Sequence, residues 1–185
     1  MFMRSERLFL RPGWPEDWQE IHDGIADEAI VRNLASAPWP YGAEDARGFA
    51  ARAQDQRYPH FFITLPTAAE PARIIGCIGL DPVGDAVDLG YWIAREHWGR
   101  GYASEAARAV LELAGMLGHQ RVTASHFGDN PASGRVLRKL GFQPTGRTAM
   151  RHSKGRGGSA EAVEYTLELS CPHDCDDDPP LMRAA

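Results

Sequence analysis

The sequence lacks the features that would place the protein in or across a membrane. None of its 185 residues falls in an apolar run of about 18, the length that a membrane-spanning helix requires. The first seven residues, Met-Phe-Met-Arg-Ser-Glu-Arg, contain no apolar stretch that ends in small residues, so they do not resemble a secretory signal. Three cysteines are too few for a disulfide framework. These absences predict a protein of the reducing cytoplasm with no membrane partner.

Positive charge is also scarce. Lys and Arg number 20 against 25 Asp and Glu, which leaves a formal net charge of -5, and only Lys139 and Lys154 are lysines. Proteins that bind the nucleic-acid backbone usually carry an excess of basic residues, so the composition argues against a nucleic-acid partner. Hydrophobic residues at 43% and charged residues at 24% are ordinary for a globular domain.

The end of the chain differs in composition from the rest. Residues 171–185 are rich in Asp and Pro and offer little to bury, which predicts a disordered tail after a single domain over residues 1–170. Cys171, His173 and Cys175 lie in this tail and supply at most three local ligands, one fewer than a structural zinc site uses. We therefore expect no metal site.

Hydrophobic periodicity predicts alternating strands and helices. Short apolar runs predict strands over residues 7–11, 60–65, 73–80, 86–94, 121–127, 147–151 and 162–169. Helical spacing predicts helices over residues 17–25, 44–54, 103–117 and 131–140. The longest of these has apolar residues at every third or fourth position. This order predicts a mixed α/β domain in which helices pack on a sheet.

A glycine-rich segment, Trp98-Gly-Arg-Gly-Tyr-Ala-Ser104, lies between the fourth predicted strand and the longest helix. Gly99 and Gly101 allow the backbone to turn and to approach a ligand closely. The first helical turn presents unpaired N–H groups and the positive end of the helix dipole, and Arg100 adds a charge. The segment predicts a diphosphate site, although a plain strand-to-helix connection is the alternative.

Two common nucleotide motifs do not fit this segment. No Gly-Lys-Ser/Thr follows it, so it is not a Walker loop for ATP. Ser104 stands where the dinucleotide fingerprint has its third glycine, and the segment lies late in the chain, which disfavours NAD.

Residues 90–106, Gly-Tyr-Trp-Ile-Ala-Arg-Glu-His-Trp-Gly-Arg-Gly-Tyr-Ala-Ser-Glu-Ala, resemble the acetyl-CoA signature of the GNAT superfamily of N-acetyltransferases. More narrowly they resemble its RimJ/RimL branch, whose known members acetylate protein N-terminal amines. The block 130–142 and the opening Ser-Glu-Arg-Leu-Phe-Leu-Arg-Pro are similar to the same branch. Trp98 replaces the Gln or Arg that often begins the signature, and Trp is common there in this branch.

The resemblance implies a fold and a co-substrate. The fold would be of the GNAT type: a central, mostly antiparallel, twisted sheet, splayed between the fourth and fifth predicted strands, with helices on both faces. Acetyl-CoA would be the co-substrate, without a metal. The backbone of the glycine-rich loop and the first helical turn would hold the pyrophosphate, namely Gly99, Arg100, Gly101, Tyr102, Ala103 and Ser104. The strand end from Ile93 to Arg95 would pair with the pantetheine amides, and Asn130 would hydrogen-bond the pantetheine.

The resemblance also implies a proton donor. Ser133 matches the serine that is proposed, in this branch, to protonate the departing thiolate. Many relatives use a tyrosine one helical turn later, and here that position is Leu137, which cannot donate a proton. Judged from the residues alone, Asn130 is an N-cap and Ser133 a small polar residue of the first turn, and that structural interpretation stays open.

Candidates on the acceptor side are fewer. An amine must be neutral to attack a thioester, so a base or a water relay is useful. Asp88 shares a strand face with Gly90 and Trp92 by the period of two, and we expect it to act as a base or to position a water, with a plain surface carboxylate as the alternative. Trp39 and Tyr41 lie in a loop that resembles the acceptor-side loop of the family. We expect them to line the acceptor pocket, with an aromatic plug at the core edge as the alternative.

These expectations converge on one activity. The chain is predicted to transfer an acetyl group from acetyl-CoA to a primary amine, on a peptide or a small molecule, by direct attack in a ternary complex. The alternative is a non-catalytic module that binds acyl-CoA and serves regulation. Relatives are often dimers, so a homodimer is one expectation for this chain.

Overall fold

The computed structural model describes residues 1–67 and 72–169, so the predicted tail lies outside the described residues. In this part of the chain eight strands form one sheet: β1 (Met3–Arg4), β2 (Phe9–Arg11), β3 (His60–Leu65), β4 (Arg73–Val83), β5 (Ala86–Ile93), β6 (Arg121–Phe127), β7 (Gln143–Ser153) and β8 (Gly158–Glu168). Their order is β1-β2-β3-β4-β5-β6-β8-β7. Every neighbouring pair is antiparallel except β5 and β6, which are parallel.

Helices cover both faces of the sheet. They are α1 (Trp18–Ile25), α2 (Glu28–Val31), α3 (Ala43–Ala50), α4 (Tyr102–Met116) and α5 (Pro131–Lys139). The first three pack over one face in a cluster that contains Ile21, Val31 and Trp92. The other two pack over the opposite face in a cluster that contains Val110, Leu137 and Leu89. The predicted mixed α/β class, the mostly antiparallel sheet and the helices on both faces are confirmed.

The sheet opens between β5 and β6. These strands pair only through Val87 with Val122 and Asp88 with Thr123. Both strands continue beyond those residues without pairing to each other, so a gap widens between them. This is the predicted splay between the fourth and fifth predicted strands, at residues 86–94 and 121–127.

The register of β5 turns part of its backbone into this opening. The N–H of Ala94 donates to the carbonyl of Ile75 on the neighbouring β4, at 2.8 Å. Hydrogen-bonded positions alternate along an antiparallel pair, so Tyr91 and Ile93 lie at positions that do not bond to β4. Their N–H and C=O groups therefore point into the opening between β5 and β6.

The structure differs from the predicted elements mainly at their ends. Strands predicted over 147–151 and 162–169 are longer, and the connection between them is reduced to a short turn at Lys154–Arg156. Most of β7 is exposed, so pairing with β8 forms this hairpin without an apolar pattern. The helix predicted over 44–54 ends at Ala50. β1 and α2 were not predicted, because elements this short show no period.

Candidate functional site

The opening between β5 and β6 leads into a cleft of about 660 Å³. The structure brings nine of the sequence-predicted site residues together in its lining: Asp88, Ile93, Gly99, Gly101, Tyr102, Ala103, Ser104, Asn130 and Ser133. Arg95 and Arg100 do not line the cleft. Arg95 pairs instead with Asp27, with 3.1 Å between Nη1 and Oδ2.

The glycine-rich loop has the conformation that its glycines allow. Gly99 and Gly101 have φ values of 75° and 82°, a left-handed region that disfavours residues with a Cβ. Gly101 is the N-cap of α4, and its carbonyl accepts the first helical bond, from the N–H of Glu105 at 3.1 Å. The N–H groups of the preceding helical residues have no partner within the helix. An anion in the cleft would meet these donors and the positive end of the helix dipole.

A buried carboxylate fixes this loop to the start of the chain. Glu105 accepts hydrogen bonds from the Ser5 hydroxyl, the Arg7 backbone and the Arg7 Nε, each at 2.7 Å. Arg7 also donates to the carbonyl of Arg100 at 3.1 Å and lies 4.7 Å from the centre of the Tyr102 ring. Burial alone would raise the pKa of Glu105, but these hydrogen bonds together lower it below its ordinary value. Glu105 therefore stays charged, and its charge is balanced by Arg7.

Trp98, which stands where the family signature often has Gln or Arg, holds the end of β5. The indole N–H of Trp98 donates to the carbonyl of Ile93 at 2.7 Å. This carbonyl points into the opening, so Trp98 covers one acceptor of the exposed strand edge. The N–H of Ile93 and the backbone groups of Tyr91 are also directed toward the cleft.

A hydroxyl pair bridges the cleft between β5 and α5. The oxygens of Tyr91 and Ser133 are 2.8 Å apart. Burial raises the pKa of Tyr91 to about 12, although the hydrogen bond to Ser133 lowers it in part. Tyr91 is therefore a neutral hydroxyl that can donate or accept near pH 7. We did not predict it, yet the alternation along β5 placed it on the face toward α4 and α5, opposite to Gly90.

The N-terminus of α5 shows that the capping interpretation also holds. The side-chain oxygen of Asn130 accepts from the backbone N–H of Ser133 at 3.4 Å. Both residues line the cleft, so capping and a position in the site coexist. Leu137 is buried in the same wall at 1% exposure.

Asp88 lies where β5 and β6 separate. Its Oδ1 accepts from the Thr123 hydroxyl at 2.8 Å, and its Oδ2 is 4.0 Å from Nη1 of Arg151. Burial raises the pKa of Asp88, and both the hydrogen bond from Thr123 and the charge of Arg151 oppose this shift only in part. The strand alternation places Asp88 on the same face as Gly90 and Trp92, toward α1 to α3.

A second cavity, of about 410 Å³, lies on the face that carries α1 to α3. It meets the cleft at β5, because Leu34, Ala35, Gly90, Tyr91 and Trp92 line both. Tyr41 is buried and lines the second cavity. Trp39 lines neither space and is 42% exposed.

The polar groups of the second cavity centre on Asp81. Its Oδ1 is 3.2 Å from Nε2 of His60 and 3.2 Å from Nη2 of Arg52. The hydrogen bond from His60 is the main cause that lowers the pKa of Asp81, and Arg52 adds to it. Gly79 leaves the space that the imidazole fills, since a Cβ there would be 2.3 Å from Nδ1 of His60. Sequence reasoning missed this cluster, because its members are separated along the chain and belong to no short motif.

Across residues 1–67 and 72–169 there is no group of three or more His, Cys, Asp or Glu side chains that could hold a metal ion. Burial raises the pKa of the Cys77 thiol to about 12, so it is a poor nucleophile. In the same part of the chain no helix has the length and apolar character needed to cross a membrane.

Comparison with known proteins yields one family. The family described as an acetyltransferase (GNAT) domain matches residues 7–143. A Bacillus licheniformis protein named uncharacterized N-acetyltransferase p20 is 32% identical over 168 residues, which cover 88% of this chain and 93% of that protein. The uncharacterized N-acetyltransferase YoaA of Bacillus subtilis is 30% identical over 155 residues, which cover 78% of this chain and 84% of that protein.

Solved structures share the fold. An acetyltransferase of the GNAT family from Bacillus anthracis superposes with a TM-score of 0.76 at 23% identity, over 91% of this chain and 98% of that chain. RimL, a ribosomal L7/L12 alpha-N-protein acetyltransferase solved with coenzyme A, has a TM-score of 0.72 at 19% identity, over 91% and 98% of the two chains. The spermidine N-acetyltransferase of Vibrio cholerae, solved with CoA and spermine, has a TM-score of 0.72 at 18% identity, over 89% and 97%.

Proposed function

The chain belongs to the acetyltransferase (GNAT) domain family, and on that premise we propose that it transfers the acetyl group of acetyl-CoA directly to a primary amine in a ternary complex. The observation that carries this proposal is the cleft itself. It joins the unpaired N–H groups of α4, the free edge of β5 and the hydroxyl pair of Tyr91 and Ser133.

Acetyl-CoA would lie through this cleft. Its pyrophosphate would accept hydrogen bonds from the backbone between Gly99 and Ser104, where Arg100 adds a positive charge nearby. Its pantetheine arm would pair with the edge of β5 near Ile93, and Asn130 would contact it from α5. The CoA bound by RimL and by the spermidine acetyltransferase, which share this fold, supports the assignment.

The chain's own groups would then assist each step of the transfer. Backbone N–H groups of β5 would polarise the thioester carbonyl as the amine attacks, and fixed donors of this kind stabilise the developing charge. As the carbon–sulfur bond breaks, the Ser133 hydroxyl would protonate the departing thiolate. Tyr91, hydrogen-bonded to Ser133, would return a proton to it. Asp88 would position a water at the point where the strands separate.

The acceptor amine would enter through the second cavity. This cavity reaches the cleft beside Gly90, so an amine there would face the thioester from the opposite side of β5. Tyr41 would form part of its wall. Trp39, which is exposed two residues earlier, would contact only the part of an acceptor that remains outside the cavity. Peptide N-termini and small amines are both candidates, since the solved relatives include a protein acetyltransferase and a spermidine acetyltransferase.

The test is the release of free CoA from acetyl-CoA on a panel of amines and N-terminal peptides. We expect at least one acceptor to stimulate release well above the background hydrolysis. The second candidate function, a non-catalytic module that binds acyl-CoA, is favoured by Leu137 at the place of the usual tyrosine. Tight acetyl-CoA binding with no acceptor-stimulated release across the panel would support that module instead.

A further inference from the structure

Part of the polar cluster in the second cavity has the geometry of a catalytic base. We propose that His60, oriented by Asp81, takes the proton from the acceptor amine. This inference rests on the proposed function, because it assigns a further residue to the same reaction. It differs from the sequence expectation, which offered Asp88.

The sheet register places His60 close to the reacting centre. His60, Gly79 and Gly90 lie opposite one another on β3, β4 and β5, in one row across the sheet. Neighbouring strands are about 4.8 Å apart. The imidazole lies over Gly79, where a Cβ would be 2.3 Å from Nδ1. The ring is therefore about one strand spacing from Gly90, which borders both the cleft and the second cavity.

Two glycines keep the path from the imidazole to the opening clear. Gly79 and Gly90 are direct cross-strand partners and both line the second cavity. A Cβ built on Gly90 would meet no atom within 4 Å. The floor between His60 and the opening thus carries no side chain, and an amine or a bridging water fits there.

Asp81 orients the ring as a base requires. Nε2 of His60 is 3.2 Å from Oδ1 of Asp81, and a carboxylate accepts a hydrogen bond but does not donate one. The proton of the neutral imidazole therefore lies on Nε2, and the lone pair lies on Nδ1, the ring atom above Gly79. The hydrogen bond from His60 and, less strongly, Arg52 at 3.2 Å from the same oxygen lower the pKa of Asp81, so Asp81 stays ionised. A base held by a second group in this manner is the usual arrangement for general-base catalysis.

Asp88 is less suited to the role. Its Oδ1 is engaged by the Thr123 hydroxyl, and Oδ2 lies 4.0 Å from Arg151. Burial also favours its protonated form, which cannot accept a proton. A water-positioning role for Asp88 is compatible with a base at His60.

The proton and electron balance closes with groups of this site and with solvent. The amine nitrogen forms a bond to the thioester carbon, and one N–H proton passes to Nδ1 of His60, directly or through one water. The carbon–sulfur bond breaks with its electron pair on sulfur, which takes the Ser133 proton. The imidazolium then loses its proton to solvent, Tyr91 gives its proton to Ser133, and a proton from solvent restores Tyr91.

The test compares His60→Gln with the wild type on the acceptor found in the panel, at saturating acetyl-CoA and over a range of pH. We expect kcat/KM for the acceptor to fall by about 10²-fold, the lower end for general-base catalysis. The acid limb of the pH profile that reports the imidazole should also disappear. The second cavity also contains other ionisable groups, which remain in the variant. They come from the loop before α3, from α3 and the residues after it, and from β4: Tyr41, Asp45, Arg52, Cys77 and Asp81. The acetyl-CoA Kd should not change, because His60 does not line the cleft.

Two further variants keep the test decisive. Asp81→Asn should lower kcat/KM and shift the same limb while leaving the imidazole in place, which also serves if His60→Gln does not fold. His152→Gln, at an exposed position of β7, is the matched histidine control and should behave as the wild type.

Each outcome has one interpretation. In one outcome, His60→Gln and Asp81→Asn keep the wild-type kcat and pH profile and only KM is raised. This result would show that His60 binds the acceptor and would overturn its role as base. A wild-type protein that releases no CoA with any acceptor would instead contradict the proposed function.

Discussion

Single side chains of the site serve structure and chemistry together, which limits what the sequence can reveal about them. Asn130 caps α5 by accepting from the backbone N–H of Ser133, as its residue type predicts, and both residues also line the cleft. Their place in the site followed from the family resemblance, because a cap looks the same with or without a ligand. The partner of Ser133 became visible only in the structure, since Tyr91 lies on a distant strand.

Tyr91→Phe tests the hydroxyl pair. Removing one hydroxyl leaves Ser133 without its partner, so we expect kcat to fall about tenfold, with little change in KM for acetyl-CoA. This is less than the roughly 10²-fold loss of a group that transfers the proton itself, because Tyr91 acts through Ser133. Ser133→Ala should lower kcat at least as much. Steady-state CoA release measures both. Tyr58→Phe, on a tyrosine stacked against His119 and away from both cavities, is the control. Full activity in both cleft variants would remove the pair from the mechanism.

Asp88→Asn should lower the activity and raise the stability of the folded protein. The pKa of Asp88 is raised in the folded state, mainly by burial, so above the ordinary pKa of Asp its ionisation favours unfolding. The neutral amide should therefore raise the free energy of unfolding near pH 7 by about 1 kcal/mol, typical of relieving an active-site compromise. The gain should shrink as the pH falls through about 4 and vanish well below it, where the carboxyl is protonated in both states. Urea unfolding at the two pH values measures this. A loss of stability at pH 7 would contradict it.

At the scale of elements, helices and strands were predictable where their apolar pattern is long. The spacing of apolar residues predicted α4, and the strand runs predicted β3 to β6, so the element on each side of the opening could be expected. The middle of β7 was predicted as a strand over 147–151. Its full length and its longer pairing with β8 could not be predicted, because that hairpin is held by backbone bonds and its outer residues carry no apolar signal. The anchoring of α4 to the first strands was also hidden, since Arg7 and Glu105 are far apart in the chain.

Glu105→Gln tests that anchor. The amide keeps the shape but loses the charge that accepts from Ser5 and Arg7, so the free energy of unfolding should fall by about 1 kcal/mol at pH 7. The pKa of Glu105 is lowered in the folded state, so its contribution is present above the ordinary pKa of Glu and is lost as the pH falls through the folded value. The difference between variant and wild type should therefore shrink below about pH 4.

The same substitution should weaken acetyl-CoA binding, because Arg7 and the carbonyl of Arg100 lose a fixed neighbour. Glu112→Gln, at an exposed position of the same helix, is the matched control for both measurements. Equal stability of the Glu105 and Glu112 variants at pH 7 would show that the anchor contributes nothing.

At the scale of the whole molecule, two spaces approach β5 from opposite sides of one sheet. The cleft is lined by α4 and α5 together with Ala29 and Ile30 of α2, and the second cavity is lined by the end of α1 and by α3. They meet beside Gly90, where the proposed direct transfer would bring the two substrates together. Sequence reasoning foresaw the first space from one glycine-rich segment. It could not foresee the second, whose lining comes from separate loops and strands.

Gly90→Val tests the junction. A Cβ there meets open space, and valine suits a strand, so folding should be retained within about 0.5 kcal/mol. The new side chain would fill the junction, so acceptor-stimulated CoA release should fall at least tenfold while the acetyl-CoA Kd stays within about twofold. Gly115→Ala, near the end of α4 and outside both cavities, is the control. Undiminished transfer in Gly90→Val would show that the substrates meet elsewhere.

The central claim is that the loop before α4 holds the linked phosphates of acetyl-CoA, and calorimetric titration of acetyl-CoA tests it most directly. We expect saturable binding to the wild type and at least a tenfold weaker Kd for Gly101→Ala, because Gly101 at a φ of 82° shapes the phosphate-binding turn. Gly118→Ala has the same φ of 82°, beyond the other end of α4, and should bind as the wild type. No binding to the wild type, or equal affinity in the two variants, would contradict the account.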